Sequence, residues 1–512
     1  MKKIALLTGC FVITSFMISC NLDLYPENGY NEYNVDLGED DNSDNQYTTR
    51  EDMKGALDAM YNSIKSDIQE RGYEDFLVFT DAAADNAYGG SPATGTTLSI
   101  ETHTLDGTNT DVVRDWSYYL EQVTNANQIV TYIDSIDDAS FAQSERNEWK
   151  AEAMIWRSYN WFIMSLLWGD VPLVDQALPA ITSDNIDETY PLYYPGRVAQ
   201  LDVFNKIAAD LQWAVQYAPN LSSSDKFVCS KAFGYGLLAR VYAEKPIQDY
   251  AKVNEYCTDV EGMGLSLVGS FSDLWSWNEA KTDMVARHSS ESIFEVPYTK
   301  SNGNWVWMMF WRNGIGDNPD DSFSWAKWDT PSRNLTAAYD AEGDTERKNQ
   351  TIIFDQCGWN YYYPADNYAF MYKTRCNASS IIVMRLAEIY LLHAEALAHL
   401  GDMGTAAPYV NLVRERAKIS DLPASASGSA DAMLNAVLQE RRLELAFEGH
   451  RWFDLKRYGK AIECVNNVNN PGSAYYDSAK HTVRPIDENG LLLPVPDTEI
   501  ENNPNLTQNP GY

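Results

Sequence analysis

The sequence predicts a mostly α-helical protein whose helices pack in pairs, with a loop-rich part in the middle of the chain. Apolar residues recur at steps of three and four, which gives the one-sided stripe of an amphipathic helix. Such stripes include Met53, Leu57, Met60, Tyr61 and Ile64; Trp156, Tyr159, Ile163, Leu166 and Leu167; Val203, Ile207, Leu211 and Val215; and Leu434, Leu438, Leu445 and Phe447. Runs typical of strands are few and short, such as 293–296 and 491–495.

Small residues in one segment indicate how the helices pair. Ala394, Gly401, Ala406, Val410 and Val413 follow one another at steps of 7, 5, 4 and 3 residues. Small side chains let two antiparallel helices approach closely, and this spacing is typical of a tetratricopeptide helix pair. We therefore expect an all-α fold class, with a tetratricopeptide-like scaffold formed mainly by 50–260 and 380–450.

The middle of the chain differs from the rest. The helical period fades from about residue 265, and seven of the 15 tryptophans lie within 275–328. Long loops in a compact protein are usually functional. We expect an irregular part, mainly 260–380, that packs on the helical scaffold and binds the ligand.

Charge excludes one class of partner. The chain of 512 residues has 39 Lys and Arg against 73 Asp and Glu, a formal net charge of -34. Nucleic-acid binding needs clustered cations, so we expect no nucleic-acid partner. A neutral ligand is compatible with this charge.

The first residues are typical of an exported lipoprotein. A short basic start is followed by an uncharged apolar run from Ile4 to Ile18, too short to span a membrane, and then by Ser19 and Cys20. We predict a signal peptide over 1–19 and lipid attachment at Cys20. An ordinary cleaved signal with an incidental cysteine is the alternative.

Beyond Cys20, we predict an acylated flexible tether over 20–47 and a folded domain over 48–512. The tether is acidic, and a calcium ion could bind there, although the EF-hand spacing is absent. Five cysteines remain in the domain, an odd number without a Cys-x-x-Cys pair. We expect buried free thiols, with one disulfide such as Cys357–Cys376 left open.

Several motifs then give the sequence a family resemblance. They are AEA at 151–153, LWGDVPL at 167–173, MRLAEIYLL at 384–392, AEA at 394–396, ERRLELAFEGHRWFDL at 440–455, LPVP at 493–496 and NPNLTQNPGY at 503–512. Together with Cys20, they resemble the SusD/RagB-like family of nutrient-binding outer-membrane lipoproteins. The motifs span nearly the whole chain but give no information about the ligand.

The resemblance implies a location, a partner and a function. Cys20 would be acylated, and the protein would lie on the outer membrane, facing the cell exterior and held only by its lipid. A SusC-like TonB-dependent transporter would be the partner. By analogy with the family's starch binders, we expect a glycan or oligosaccharide ligand, without a cofactor or catalysis. Peptide capture is also known in the family, so a peptide ligand is an alternative.

Aromatic rings can cover the flat faces of sugars, while polar side chains bind the hydroxyl groups. The candidate ligand-binding residues are Tyr88, Trp275, Trp305, Trp307, Trp311, Trp325 and Trp328, with Arg312 and Asp317 as polar partners. Tyr88 is included because its loop resembles the family's early binding segment. The alternative is that most of these rings fill the core of the irregular part.

Motifs for other functions are weak. His393 and His399 are six residues apart and cannot form a metal pair on one helix face, and no Gly-x-Ser-x-Gly motif occurs. With 73 carboxylates, a helical glycoside hydrolase is an alternative interpretation, and a protein-binding repeat scaffold is a third. The arginines of 441–457 lie at helical spacing from carboxylates, which favours a structural ion-pair network over an anion site.

Overall fold

The computed structural model describes residues 47–90, 94–279, 283–310 and 328–512. The compact unit Ser43–Tyr512 contains all of them. The predictions for residues 1–46, including Cys20 and most of the tether, lie outside the described residues. The same is true of Trp311, Arg312, Asp317 and Trp325. Helix accounts for 54% of the structure and strands are short, which confirms the α-rich fold class.

The first half of the domain is mainly helical, with several long helices and a few very short ones. These helices are α1 (Arg50–Asp67), α2 (Asp75–Leu77), α3 (Gly95–Glu101), α4 (Thr110–Tyr132), α5 (Gln143–Trp168), α6 (Ile186–Thr189), α7 (Gln200–Tyr217), α8 (Lys231–Ala243) and α9 (Tyr250–Glu261). Two π-helical turns, Glu70–Glu74 and Val78–Ala82, flank α2. Thr49 begins α1 with a capping box, because its side chain accepts from the Asp52 N–H while Asp52 reaches back.

The remaining helices are mostly shorter, and the first three lie within the irregular part. They are α10 (Trp307–Phe310), α11 (Arg333–Glu342), α12 (Thr345–Thr351), α13 (Leu386–His399), α14 (Met403–Arg416), α15 (Ala430–Glu444), α16 (Arg451–Arg457), α17 (Ala461–Asn467) and α18 (Asp497–Asn502). The pair α13 and α14 is the one that the small-residue spacing predicts. Ala394, Ala406, Val410 and Val413 are all buried between its helices and α15.

The strands form two-stranded antiparallel ladders. The pairs are β1 (Ala87–Tyr88) with β5 (Thr330–Pro331), β2 (Val171–Pro172) with β3 (Arg197–Val198), β4 (Ser292–Val296) with β8 (Ile381–Arg385), and β6 (Ile352–Asp355) with β7 (Tyr368–Met371). The predicted strand at 293–296 is therefore confirmed as β4. The strand-like run 491–495 is not a strand, since Pro494 and Pro496 remove backbone donors that a ladder needs.

Helix α5 is the centre of the main core. Trp156, Trp161 and Trp168 on it are fully buried, and the helix packs against α4 and α7. The C-terminal segment closes over the end of α5, where the Trp168 indole N–H donates to the Pro494 carbonyl at 2.9 Å. The motif at 167–173 and the motif at 493–496 thus meet in space.

The five cysteines of the domain are free thiols, so the disulfide between Cys357 and Cys376 is not formed. The Cys376 sulfur lies 3.8 Å from the Met284 sulfur, and the Cys357 thiol donates to the Trp359 carbonyl at 3.1 Å. Within the part of the chain that the structure describes, no helix combines the length and apolar character needed to cross a bilayer.

Candidate functional site

The short ladder β1–β5 brings together two distant stretches that the sequence singles out. Tyr88 pairs with Thr330, and Ala87 pairs with Pro331. Next to the ladder, the Ser332 hydroxyl donates to the Asp85 carbonyl at 2.6 Å. Tyr88 and Thr330, which lie two residues from Gly90 and from Trp328 in the chain, are therefore side by side.

Trp328 also contacts α10. The Trp328 backbone N–H donates to the Met309 carbonyl at 3.1 Å, which joins the end of α10 to the residue before Asp329. Trp328 is half-buried against the main core. Trp305, which precedes α10, is 36% exposed, and its backbone N–H donates to the Gln69 side chain at 2.8 Å. Trp305 and Trp328 are the predicted tryptophans that reach the surface among the described ones.

The other described candidates are buried, and this corrects their expected exposure. Trp275 packs with Phe271, and the Lys373 ammonium lies 5.0 Å from its ring centre. Trp307 is part of the main core. Tyr88 is fully buried, and its hydroxyl donates to Asp477 at 2.8 Å. Each ring completes a packed cluster, so in this structure none of the three presents a face to a ligand.

Sequence analysis missed an aromatic cluster beside the ladder. The Tyr88 and Tyr362 rings stack at 4.1 Å with an interplanar angle of 8°, and Tyr363 packs edge-on against Tyr368 at 5.8 Å. Tyr361 lies beside them and is 44% exposed. The run of Trp359 and three consecutive tyrosines is the signal that could have indicated this cluster.

Glu101 on α3 holds both Gly89 and His481. One carboxylate oxygen accepts from the Gly89 N–H at 2.7 Å, and the other lies 3.2 Å from Nδ1 of His481. Gly89 cannot carry a side chain here, because a Cβ would lie 2.6 Å from the Thr97 carbonyl oxygen. Burial would raise the pKa of Glu101, but Lys480 and the bond to His481 lower it below its usual value. The same hydrogen bond raises the pKa of His481.

A group of buried acids includes Asp329, the residue that follows Trp328. This acidic cluster consists of Glu74, Asp75, Asp111, Asp115 and Asp329. Burial, then neighbouring carboxylates, raise the pKa of Glu74, Asp115 and Asp329 well above their usual values. Burial also raises the pKa of Asp75, to about 6, although Arg114 opposes the shift. Among the described residues, no three carboxylate, imidazole or thiolate groups are arranged to hold a metal ion.

The arginines of 441–457 are paired with carboxylates. Arg441 lies 2.9 Å from Asp454, and Arg457 lies 2.6 Å from Glu395. Arg451 lies 2.7 Å from Asp85. The structure therefore agrees with the structural ion-pair interpretation of this motif.

Two family models match most of the domain between them. The model described as "SusD family" matches residues 323–512, and the model described as "Starch-binding associating with outer membrane" matches residues 37–243. The chain belongs to the SusD family. The resemblance based on its motifs is thereby confirmed.

Relatives of this SusD-like protein extend over most of its length. It is 25% identical over 501 residues to SusD-like protein P2 of Formosa agariphila, covering 91% of this chain and 93% of the relative. It is 23% identical over 467 residues to a SusD-like protein of Bacteroides ovatus, covering 77% of this chain and 80% of the relative.

Solved structures share the fold. A laminarin-binding SusD-like protein superposes with a TM-score of 0.70 at 21% identity, covering 91% of this chain and 100% of that chain. Surface glycan-binding protein A from Bacteroides thetaiotaomicron, solved with laminarihexaose, gives a TM-score of 0.70 at 19% identity, covering 90% and 100%.

One cavity in the described part of this SusD-like protein is too small for a sugar. That cavity has a volume of about 50 Å³ and lies between α5, α8, α13 and α16, with Glu388, Arg441 and His450 in its wall. Such a volume accommodates only one or two water molecules. A ligand of the size of an oligosaccharide would therefore need a surface site.

Proposed function

We propose that this protein is a cell-surface lipoprotein that captures oligosaccharides and delivers them to a TonB-dependent outer-membrane transporter. The observation that carries the proposal is the ladder β1–β5, which places Tyr88 beside Thr330, two residues after the surface tryptophan Trp328. One family model is described as starch-binding, and two proteins of the same fold bind laminarin or laminarihexaose. These findings support a glycan ligand bound at the surface.

The proposed ligand contacts are the two described candidate tryptophans that reach the surface and the predicted residues of 311–325. Trp305 and Trp328 would stack on sugar faces, together with Trp311 and Trp325, while Arg312 and Asp317 would bind hydroxyl groups. The ligand would be neutral, because a protein of net charge -34 repels polyanionic chains. Binding would proceed without turnover.

Calorimetry with a panel of neutral oligosaccharides, including laminarihexaose, and of peptides tests this proposal. Trp305→Ala and Trp328→Ala should each weaken oligosaccharide binding by about 1–3 kcal/mol, by analogy with aromatic stacking on nucleobases. Trp213→Ala on α7 is the matched control and should bind normally. Normal binding by all variants would place the site elsewhere, preferential peptide binding would favour a peptide-binding member, and release of reducing ends would favour a hydrolase.

The anchor and the partner form the second part of the proposal. Residues 1–19 would be removed, Cys20 acylated, and residues 20–47 would tether the domain to the outer face of the membrane. The several acyl chains of a bacterial lipoprotein hold it durably. Cys20→Ala should release the protein from the membrane or leave it unprocessed, and a variant that stays processed and bound contradicts the anchor.

Gentle detergent extraction tests the partner. Pull-down through the unmodified lipoprotein should recover a large β-barrel transporter in near-equal amounts. A lipoprotein that purifies alone, with or without oligosaccharide, contradicts the delivery step but leaves the binding proposal intact.

A further inference from the structure

We propose that the ligand surface continues from the tryptophan-rich segment onto a second rim, formed by Tyr361 and His481. At this rim, a neutral oligosaccharide would contact the Tyr361 ring and accept a hydrogen bond from the His481 imidazole. The inference rests on the proposed function and names contacts that lie outside the predicted set.

Position is the first argument. Tyr361 and His481 belong to separate parts of the chain and are linked through one buried residue, Tyr362, which is the chain neighbour of the first and packs against the second. The Tyr362 hydroxyl donates to the Gly90 carbonyl, and its ring packs edge-on against His481 at 5.5 Å. The rim therefore borders Gly90, two residues after Tyr88 of the ladder β1–β5.

Exposure and chemistry are the second argument. Tyr361 is 44% exposed, and the side chain of His481 is 32% exposed. Tyr362, by contrast, is buried. An exposed aromatic ring beside a hydrogen-bonding group is the combination that sugars require, since they present C–H faces next to hydroxyl groups. The two side chains offer one of each.

The third argument is that neighbouring residues hold the rim in place, because a precise contact needs fixed side chains. Glu101 holds His481 through Nδ1, which directs the other ring nitrogen, Nε2, away from the carboxylate. Arg333 holds the tyrosine turn: its guanidinium donates to the Tyr362 carbonyl at 2.6 Å and lies 5.2 Å from the Tyr363 ring centre. Arg333 is thus a positioning residue for Tyr361.

The imidazole gives the rim a dependence on pH. The groups facing it are Glu101, Tyr362 and the neighbouring Lys480, whose ammonium donates to three backbone carbonyls. The bond to Glu101 raises the pKa of His481 above the usual 6.5. Protonated His481 donates from both ring nitrogens and makes a stronger, charge-assisted bond. After deprotonation Nδ1 keeps its proton for Glu101, and Nε2 becomes an acceptor.

Titration of the full-length protein in detergent with the oligosaccharide that binds best, at about pH 5.5 and about pH 8.5, tests the rim. Tyr361→Ala should weaken binding about tenfold at both pH values, by analogy with measured aromatic stacking. His481→Gln should weaken it about threefold to tenfold at the lower pH only, because that is where the charged donor exists.

Matched controls separate contact from folding. Tyr217→Ala removes an equally exposed tyrosine on α7, and His399→Gln removes an exposed histidine at the end of α13, and both should bind normally. Glu101→Gln should shift the pH at which affinity falls to a lower value, because the carboxylate that favours protonated His481 is gone. Thermal melting of each variant checks that it is folded.

The outcomes distinguish this inference from the proposed function. If Trp328→Ala weakens binding while folded Tyr361→Ala and His481→Gln bind normally at both pH values, the rim is not part of the site. An affinity of the unmodified protein that does not fall with rising pH also contradicts the role of His481. If no oligosaccharide binds the unmodified protein, the proposed function itself fails, and the extension fails with it.

Discussion

Two buried groups of charges in this protein are built from the same residue types and behave in opposite ways. The first, here named the paired cluster, consists of Arg347, Arg385, Arg416, Glu291, Glu440, Glu444 and Glu448. The second is the acidic cluster of Glu74, Asp75, Asp111, Asp115 and Asp329, whose nearest guanidinium is that of Arg114. The paired cluster joins motif segments of the family, whereas the acidic cluster lies beside the proposed ligand surface.

Pairing explains the difference. In the paired cluster, the Arg385 guanidinium lies 2.7 Å from Glu291, 2.5 Å from Glu444 and 2.7 Å from Glu448. Burial alone would raise the pKa of Glu444 and Glu448, but the surrounding cations lower both below the usual value. These carboxylates are therefore ionised in the folded protein. Burial by itself does not decide the state of a carboxylate; the balance of neighbouring charges does.

In the acidic cluster the balance is reversed. Arg114 contacts Glu70 at 2.9 Å and lies 3.6 Å from Asp111, so that one cation is shared among several acids. Among the described residues, none donates a hydrogen bond to the buried carboxylate oxygens of Asp329. The buried carboxyl of Asp115 has another acid, Asp75, as its side-chain hydrogen-bond partner. Asp329 also has a left-handed backbone, with φ of 47°. The acidic cluster, beside the proposed ligand surface, thus lacks the balance of charges that the paired cluster has.

The largest effect should come from breaking the paired cluster. Arg385→Met leaves three buried carboxylates without their shared cation and should lower the free energy of unfolding by about 3–5 kcal/mol. Denaturant titration measures this. Lys418→Met, which removes an exposed ion pair with Glu346, is the control and should be neutral. A loss from Arg385→Met no larger than that of the control would mean that the pairing does not stabilise the fold.

A smaller effect is expected when the acidic cluster loses its cation. Arg114→Met should lower the free energy of unfolding by about 1–2 kcal/mol near pH 8, a reduced figure because a third of the side chain reaches solvent. Near pH 5 the cost should be smaller, because the acids are then largely protonated and need no counter-charge. Equal losses at the two pH values would contradict the change in protonation that the comparison between the clusters predicts.

Local patterns explain how much of the fold could be predicted. The pair α13–α14 follows from the spacing of Ala394 and Ala406, because small residues act where helices touch. The ladder β1–β5 has only two residues in each strand, and about 240 residues separate Tyr88 from Thr330. No periodicity marks so short a strand. The central relation of the proposed site is therefore visible only in three dimensions.

The site itself was predicted less well, for a physical reason. A tryptophan in an irregular segment has the same local sequence signal whether it packs inward or faces solvent. Trp305 and Trp307 illustrate this, since they are two residues apart and only Trp305 is exposed. The ion pairs of 441–457 were predictable in kind but not in partner. Helical spacing suggested pairs such as Arg441 with Glu444, whereas the structure pairs Arg441 with Asp454, 13 residues away. The burial of Tyr88 likewise depends on Tyr362, far along the chain.

The smallest expected effect has the opposite sign and sharpens the comparison most. Asp115→Asn keeps the shape of the side chain but removes one buried carboxylate from the acidic cluster, so it should stabilise the protein. Burial, then Asp75, raise the pKa of Asp115 above the unfolded value of 3.8. A raised folded pKa gives stability that is complete below the unfolded pKa and is lost as pH rises through the folded one. The same sign holds for Asp75, whose pKa is about 6.

The unmodified protein should therefore lose stability relative to Asp115→Asn as pH rises. The difference in the free energy of unfolding should be close to zero near pH 4 and reach about 1 kcal/mol near pH 8, where an unpaired buried carboxylate is costly. Parallel denaturant titrations across this range measure it, with Asp134→Asn, an exposed residue that pairs with Lys150, as the control. If Asp115→Asn is destabilising at every pH, Asp115 is a stabilising anion, and Arg114 balances the acidic cluster as effectively as Arg385 balances the paired one.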